Sequence, residues 1–381
     1  MAGLYIHIPF CRSRCIYCGF YSTTCLSRRR DYVDALCSEM RLRAADTLFS
    51  RQIDTVYLGG GTPSLLTAEQ LRRLFLYIYN VYDVSPEAEV TMECNPDDID
   101  DGFVKMLSQL PVNRVSMGAQ TFSDARLRFL HRRHRAEQVV SAVGLLRGAG
   151  ISNISIDLMY GFPNETIDEW HADIDAALSL GVEHISAYAL SYEPGTPLSR
   201  MLEKGSVSEL DEEMQRQMYY DLKDRLESAS YEHYELSNFA KIEEGEKKNG
   251  MGFRSRHNSS YWNHTAYLGI GAGAHSYDGK RHRQWNVSDL DAYIRAIGKG
   301  SLPAEGEDLD DDTFYDEQVM TRLRTSEGLP LAQLPAPRRA WCLSQASKWK
   351  KCGWLCEEDN HLRLTREGLF VSDAVISGLF S

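Results

Sequence analysis

The amino-acid sequence predicts an α/β protein: a partial (β/α)6 barrel of the TIM type followed by a smaller, mainly helical C-terminal domain. Short apolar segments alternate with amphipathic helical segments before residue 200. Such alternation is typical of parallel strands joined by right-handed crossovers. The alternation then stops, and the last segments have the helical periodicity of a winged-helix-like module. The chain has 381 residues, 43% of them hydrophobic, which is enough to bury a core of this size.

Each of the six predicted strands is an apolar or β-branched run that ends in glycine, proline or polar residues. In chain order they are Leu4–Ile8, Ile53–Leu58, Glu89–Glu93, Val112–Met117, Asn153–Leu158 and His184–Leu190. Between them, segments such as Ala68–Tyr82 and Ala136–Gly148 carry apolar residues at three- and four-residue spacing, as amphipathic helices do. This pattern favours an incomplete barrel over a doubly wound sheet.

The remaining sequence predicts two further units after a barrel core over residues 1–200. Residues 201–305 are predicted to pack on the barrel, with a helix over Glu209–Ser228 and loop-like, glycine- and aromatic-rich sequence after it. The acidic run at 306–312 lacks the glycine and glutamate positions of an EF-hand loop and is predicted to be a linker. In residues 306–381 the predicted elements are helices at Phe314–Leu323, Arg338–Lys348 and Gly368–Leu379, and a short strand at Leu362–Leu364.

The composition indicates which partners to exclude and in which compartment the protein is expected. The chain has 54 acidic and 42 basic residues, a net charge of −12, which argues against nucleic acid as a partner. The apolar run Leu4–Phe10 contains His7 and Pro9 and is too short for a signal peptide or a transmembrane segment. We therefore expect a cytoplasmic protein whose nine cysteines are thiols or metal ligands rather than disulfides.

Three cysteines, Cys11, Cys15 and Cys18, form a C-x-x-x-C-x-x-C loop directly after the first predicted strand. Clustered thiolates select soft metals, meaning zinc or an iron–sulfur cluster. A structural zinc site needs a fourth ligand, and neither His7 within the strand nor the isolated Cys25 supplies one. A [4Fe–4S] cluster with one open iron is therefore favoured, with zinc or inert buried thiols as the alternatives.

Four more predicted strand ends carry polar or glycine-rich sequence, at Gly59–Pro63, Glu93–Pro96, Gln120 and Asp157. Each alone has an ordinary structural explanation, such as a turn or a helix cap. Ligand sites in (β/α) barrels gather at the C-terminal ends of the strands. The coincidence of these ends with the cysteine loop therefore predicts one binding site at the mouth of the barrel.

Several of these motifs resemble those of radical S-adenosylmethionine (SAM) proteins related to oxygen-independent coproporphyrinogen III oxidase. The similar strings are Y-I-H-I-P-F-C from Tyr5, the C-I-Y-C end of the cysteine loop, G-G-G-T-P from Gly59, and I-D-L-M-Y-G-F-P from Ile156. The resemblance implies that Cys11, Cys15 and Cys18 hold the cluster and that a reductant such as flavodoxin or ferredoxin supplies electrons. It also implies that the chemistry belongs to the cluster and SAM, so no catalytic residue is assigned. The SAM contacts that it implies are Tyr5, Tyr17, Gly60, Gly61, Thr62, Glu93, Gln120, Arg132 and Asp157.

Two departures from the oxidase pattern bear on function. The oxidase pattern has a fourth cysteine two residues after the third, whereas this chain has Gly19 and Phe20 after Cys18. The oxidase also has an N-terminal extension, whereas the loop here begins at residue 11. Both departures resemble the related haem chaperone group called HemW, which implies haem binding and haem transfer to an acceptor protein. Decarboxylation of coproporphyrinogen III stays the alternative, so whether the chain is an enzyme is left open.

The H-N-x-x-Y-W motif of that group occurs here from His257 to Trp262. Imidazole is a standard axial ligand of haem iron. The residues that the resemblance assigns to haem are His257, Asn258, Tyr261 and Trp262. His264 and His275 are alternative ligands, and a purely structural aromatic loop is the other interpretation of the segment.

Overall fold

Six parallel strands form the centre of the computed structural model, which describes residues 2–44, 49, 51–242 and 252–381. They are β1 (Gly3–Ile8), β2 (Gln52–Gly60), β3 (Asp83–Cys94), β4 (Arg114–Gln120), β5 (Asn153–Tyr160) and β6 (His184–Ala189). Each pairs in parallel with its neighbour in the sequence. The predicted fold class is confirmed, with β3 beginning six residues earlier than the sequence pattern indicated.

Helices connect these strands and cover one face of the sheet. They are α1 (Arg29–Arg43), α2 (Ala68–Val81), α3 (Asp101–Leu107), α4 (Asp124–Phe129), α5 (Ala136–Gly148) and α6 (Ile167–Ser179). The hydroxyl of Thr67 caps α2 by accepting the Gln70 N–H, and this helix buries Leu71, Leu74 and Ile78 along one side. Amphipathic spacing therefore produced the predicted helix with its apolar side toward the sheet.

The sheet continues beyond the six central strands, so the loop-like prediction for this region is wrong. Six further strands are β7 (Tyr231–Glu235), β8 (Asn238–Lys241), β9 (Tyr267–Ile270), β10 (His275–Tyr277), β11 (His282–Asn286) and β12 (Ala304–Asp308). The helices here are α7 (Pro197–Glu203), α8 (Glu212–Ser228), α9 (Arg256–Trp262) and α10 (Leu290–Gly298). The strand order is β12-β11-β10-β9-β1-β2-β3-β4-β5-β6-β8-β7, so β1 and β6 are not neighbours and the barrel stays open.

The C-terminal part combines helices with a small antiparallel sheet, as expected for a winged-helix-like module. Its elements are α11 (Asp311–Leu323), α12 (Ala336–Lys351), α13 (Arg366–Leu369), α14 (Ser372–Ser377), β13 (Leu329–Pro330), β14 (Leu355–Glu358) and β15 (His361–Leu364). The predicted linker at 306–312 is wrong: residues up to Asp308 pair with β11, and Asp310 caps α11 by accepting the Thr313 N–H. Within the described ranges, no helix combines the length and apolarity needed to cross a membrane.

The two faces of the central strands differ in polarity. On β1, Leu4, Ile6 and Ile8 are fully buried against the helices, whereas Tyr5 and His7 alternate with them on the concave face. We call the space inside this concave face the lumen. TIM barrels usually fill this space with branched apolar side chains. The polar lumen here is therefore suited to a ligand.

Candidate functional site

The glycine run after β2 brings backbone close to the partly exposed carboxyl group of Glu93. Glu93 accepts the Gly60 N–H at 3.0 Å through Oε2 and the Tyr57 hydroxyl at 2.8 Å through Oε1. Gly60 has φ +107°, and a Cβ there would lie 2.3 Å from the His7 ring. Only glycine fits this conformation and this approach. The turn therefore exposes unshielded backbone at the mouth of the barrel.

Two carboxyl groups of the lumen have altered acidity. Burial raises the pKa of Glu93 to about 7 and the pKa of Asp157 to about 6. Hydrogen bonds from Tyr57 and Gly60 to Glu93, and from Ser186 to Asp157, act in the opposite direction. Both carboxyl groups can therefore take up or release a proton near neutral pH, depending on the partner that a ligand brings.

The raised pKa of Glu93 predicts a pH-dependent stability. Because its folded-state pKa of about 7 exceeds the ordinary 4.5, the folded state binds the proton more tightly than the unfolded state does. The contribution of Glu93 to the free energy of unfolding should therefore fall between pH 5 and pH 8, by at most about 3 kcal/mol. Urea unfolding of the cluster-free protein and of Glu93→Gln at several pH values tests this. Identical pH profiles for the two proteins would refute it.

The cysteine loop lies beside the glycine turn. Cys11, Cys15 and Cys18 are all partly exposed, and burial raises the pKa of the Cys11 and Cys18 thiols. The Thr62 hydroxyl lies 3.8 Å from the Cys11 Sγ, and Nη1 of Arg132 lies 3.7 Å from the Cys15 Sγ. Among the residues that the structure describes, no three His, Cys, Asp or Glu side chains are grouped as ligands of a metal ion.

Arg132 joins the loop to two strand ends. Its Nη2 donates to Oδ1 of Asn95 at 2.9 Å and to the Gly118 carbonyl at 2.6 Å. Its Nε is enclosed and has no hydrogen-bond partner. A buried donor without a partner is costly. The guanidinium is therefore held through Nη2, while its Nε is left without a partner.

The end of β4 is shaped around the same guanidinium. Gln120 has φ +67°, a left-handed conformation that is unfavourable for a side chain with a Cβ, and the β4–β5 register shifts beside it. A Cβ on Gly118 would lie 2.6 Å from Nε2 of Gln120 and 3.1 Å from Nη2 of Arg132. The absence of a side chain at Gly118 therefore provides the space that the Gln120 amide and the Arg132 guanidinium occupy.

Most residues implicated by the sequence lie at this one mouth, which we call the strand-end site. They are Tyr5, Cys11, Cys15, Tyr17, Cys18, Gly60, Gly61, Thr62, Glu93, Gln120, Arg132 and Asp157. Sequence reasoning assigned no role at this site to His7 or Gly118, and included Asn95 only within the predicted strand end Glu93–Pro96. His7 lies 2.9 Å from the Tyr5 hydroxyl, and Asn95 donates to the Thr62 hydroxyl at 3.1 Å. Their positions on or just after predicted strands were the available signal.

The H-N-x-x-Y-W segment lies at the opposite end of the strands. It forms helix α9, whose first turn is held by Glu89: Oε2 accepts the Arg256 N–H and Oε1 the His257 N–H, both at 3.0 Å. Ser255 caps the helix by accepting the Asn258 N–H. The segment is therefore a capped helix and not a loop.

The His257 imidazole is enclosed at the start of β2. The residue is 1% exposed, with Nδ1 2.8 Å from the Thr55 hydroxyl and Nε2 2.8 Å from the Tyr261 hydroxyl. Its ring stacks on Tyr57 at 5.0 Å. Burial, followed by the charge of Arg114, lowers its pKa to about 3, so the ring is neutral. Both ring nitrogens have partners in this conformation.

The other members of the motif and the rival histidines differ in their surroundings. The Trp262 ring lies under Arg324 at 5.1 Å, and its Nε1 is enclosed without a partner. Nε2 of His264 lies 2.8 Å from the Thr321 hydroxyl. His275 is exposed on β10. The structure therefore brings the cysteine loop and most of the predicted SAM contacts together at the strand ends. The H-N-x-x-Y-W segment touches this group through His257, whose ring stacks on Tyr5 with the centroids 6.4 Å apart.

Comparison with protein families gives two matches. The model of the radical SAM superfamily matches residues 5–177, and the model of the HemN C-terminal domain matches residues 309–371. Together they cover the cysteine loop, most of the parallel strands and much of the C-terminal module.

Curated relatives extend over nearly the whole chain. The haem chaperone HemW of Mycobacterium tuberculosis is 35% identical over 99% of this chain and 94% of its own. HemW of Bacillus subtilis is 36% identical over 86% of this chain and 85% of its own. Among solved structures, coproporphyrinogen III oxidase (HemN) of Escherichia coli matches with a TM-score of 0.84 at 22% identity, over 100% of this chain and 90% of that one, which establishes a shared fold. The chain therefore belongs to the HemW family of the radical SAM superfamily.

Proposed function

We propose that this protein binds haem and passes it to an acceptor protein, while a SAM-liganded [4Fe–4S] cluster occupies the strand-end site. Radical SAM proteins as a class carry such a cluster with SAM. The observation that carries the proposal is the similarity to HemW proteins, which are named haem chaperones. The loop supports it, because Phe20, at the position of the fourth cysteine in the oxidase pattern, exposes 72% of its surface and offers no ligand.

The side chains of the strand-end site fit the cluster and SAM. Three thiols in one loop suit a cluster with one open iron. The Arg132 guanidinium, whose Nη1 lies beside the cysteine loop, suits the SAM carboxylate, and Glu93 and Asp157 suit its ammonium or ribose hydroxyl groups. When bound, the cluster supplies one-electron reduction of the sulfonium. We propose Tyr5, Tyr17, Gly60, Gly61, Thr62 and Gln120 as the remaining SAM contacts.

Gly118→Ala should weaken SAM binding by at least about tenfold, the cost of disturbing one charge-assisted hydrogen bond. The added Cβ would displace the Gln120 amide and the Arg132 guanidinium, which lie 2.6 Å and 3.1 Å from its position. Gly144→Ala is the matched control, since a Cβ there meets nothing within 4 Å. Calorimetric titration of SAM into both reconstituted variants measures the effect. Equal dissociation constants would contradict the assignment.

For haem, we propose the H-N-x-x-Y-W segment as part of the site, with His257, Asn258, Tyr261 and Trp262 as its residues. The neutral imidazole of His257 is the form that ligates metals. Iron ligation through Nε2 requires that this atom first release the Tyr261 hydroxyl. His264 and His275 are the competing ligands.

Anaerobic titration of haem into the reconstituted protein tests the proposal. We expect the haem absorption band to saturate at one haem per chain, and then to shift to an added haem-free acceptor protein. A titration without saturation would refute haem binding. We also propose a cytoplasmic location and a reductant of the flavodoxin or ferredoxin type, which the cluster needs as a source of electrons.

A further inference from the structure

Arg114 on β4 is a buried cation that the strand-end site does not use. It is 2% exposed, and its enclosed Nε has no hydrogen-bond partner. Its guanidinium makes neither a hydrogen bond nor an ion pair with any residue that the structure describes. Burying a charge without a partner destabilises the folded state. A partner from outside the chain would remove that cost.

Two neighbours of Arg114 in the sheet also have polar atoms without hydrogen-bond partners. Strand pairing places Thr91 of β3 and Asn153 of β5 directly beside it. The Thr91 Oγ1 and the Asn153 Oδ1 are likewise enclosed without hydrogen-bond partners. Three adjacent strands therefore each present one unsatisfied polar atom at the same level. We call these three residues the lumen floor.

The lumen floor faces the interior of the barrel. Thr91 precedes the lumen residue Glu93 by two positions, so the two side chains share a face, and Arg114 lies in register with Thr91. At about 3.3 Å per residue, the floor lies about 7 Å below Glu93. The space above it is open, since Glu93 and Asp157 are partly exposed. Tyr188, on the same face of β6 as His184, exposes 44% of its surface.

The nearby carboxylates are engaged elsewhere. Glu93 is held by the Tyr57 hydroxyl and the Gly60 N–H, and Glu89 by the first turn of α9. The other titratable groups that feel the charge of Arg114 are Tyr57, Asp157, His184, Tyr234 and His257. None of them forms an ion pair with Arg114 among the described residues. The guanidinium is thus available to an incoming anion.

We propose that Arg114 binds a carboxylate of a ligand that enters the lumen, and that this carboxylate is a propionate of haem. The planar guanidinium of arginine matches a carboxylate with two parallel hydrogen bonds. The Asn153 and Thr91 oxygens suit a bridging water beside it. The charge of Arg114 contributes to the lowered pKa of His257, so the two residues lie near each other. This inference rests on the proposed haem-binding function.

Esterification of the ligand tests the proposal directly. Haem and haem dimethyl ester, which lacks ionised propionates, are titrated into the reconstituted full-length wild type, Arg114→Gln and Arg114→Lys. We expect the wild type to prefer haem by at least about tenfold, as one charge-assisted hydrogen bond implies. Arg114→Gln should lose that preference and Arg114→Lys should keep part of it. SAM affinity should be the same in all three proteins.

The outcomes separate this inference from the function on which it rests. A wild type that binds no haem overturns both. If the wild type binds haem and Arg114→Gln prefers haem over the ester as strongly as the wild type does, only the role of Arg114 is overturned. Water would then be the partner of the lumen floor. A loss of SAM affinity in Arg114→Gln overturns it too, because the bound carboxylate would then belong to SAM. Arg114→Lys keeps the test valid if the glutamine variant does not fold.

Discussion

Replacing Cys15 by alanine is expected to abolish the visible absorption and the EPR signal of the reconstituted cluster. The two remaining thiols, Cys11 and Cys18, are too few to hold a cluster that three cysteines ligate. Arg132, whose Nη1 lies 3.7 Å from the Cys15 Sγ, would lose this partner at the same time. Iron and sulfide contents measured after anaerobic reconstitution should fall with the spectrum.

Cys25→Ala is the matched control for this substitution. Cys25 follows the same loop but is exposed, and the Ser27 hydroxyl lies 3.5 Å from its sulfur. This variant should keep the wild-type spectrum. An unchanged spectrum in Cys15→Ala would place the cluster elsewhere, and metal analysis that finds zinc without iron would favour a zinc scaffold.

His257→Ala is expected to have the second largest effect, weakening haem binding by at least about tenfold through loss of an iron ligand. The substitution should also lower the free energy of unfolding by about 2–4 kcal/mol, because it leaves a cavity and removes the partner of two buried hydroxyl groups. Those hydroxyl groups belong to Thr55 and Tyr261. Haem titration below the unfolding midpoint of the variant measures the first effect, and urea unfolding measures the second.

Two further variants distinguish iron ligation from structural support. Tyr261→Phe removes the hydroxyl from Nε2 of His257 but keeps the aromatic contact with Tyr267, so haem binding should persist or strengthen. His264→Ala should have little effect on haem. Equal haem affinities in His257→Ala and His264→Ala would contradict a special role for His257.

The six central strands could be predicted because each carries apolar residues toward a helical layer. On β1, the buried residues Leu4, Ile6 and Ile8 occupy alternate positions, a pattern typical of a strand and not of an exposed loop. The strand-end site could be predicted for a related reason. Parallel strands must end at the same edge of the sheet, so the polar residues after them converge.

The short outer strands of the sheet and the lumen floor could not be predicted from the local sequence pattern. Strand β10 has only three residues, and β12 is an exposed acidic segment, so both depend on pairing with distant strands. The capped helix α9 depends on Glu89, far away in the sequence. Arg114 was visible as one cation in a strand, but its lack of a partner appears only when the surrounding residues are in place.

One anaerobic preparation tests the central claim most directly. The protein with its reconstituted cluster is first titrated with haem, and a second portion is then given coproporphyrinogen III, SAM and a reductant, with an authentic oxidase as positive control. We predict stoichiometric haem uptake and no formation of protoporphyrinogen IX beyond the background without protein. Repeated turnover of coproporphyrinogen III, with no saturable binding of haem, would contradict the claim.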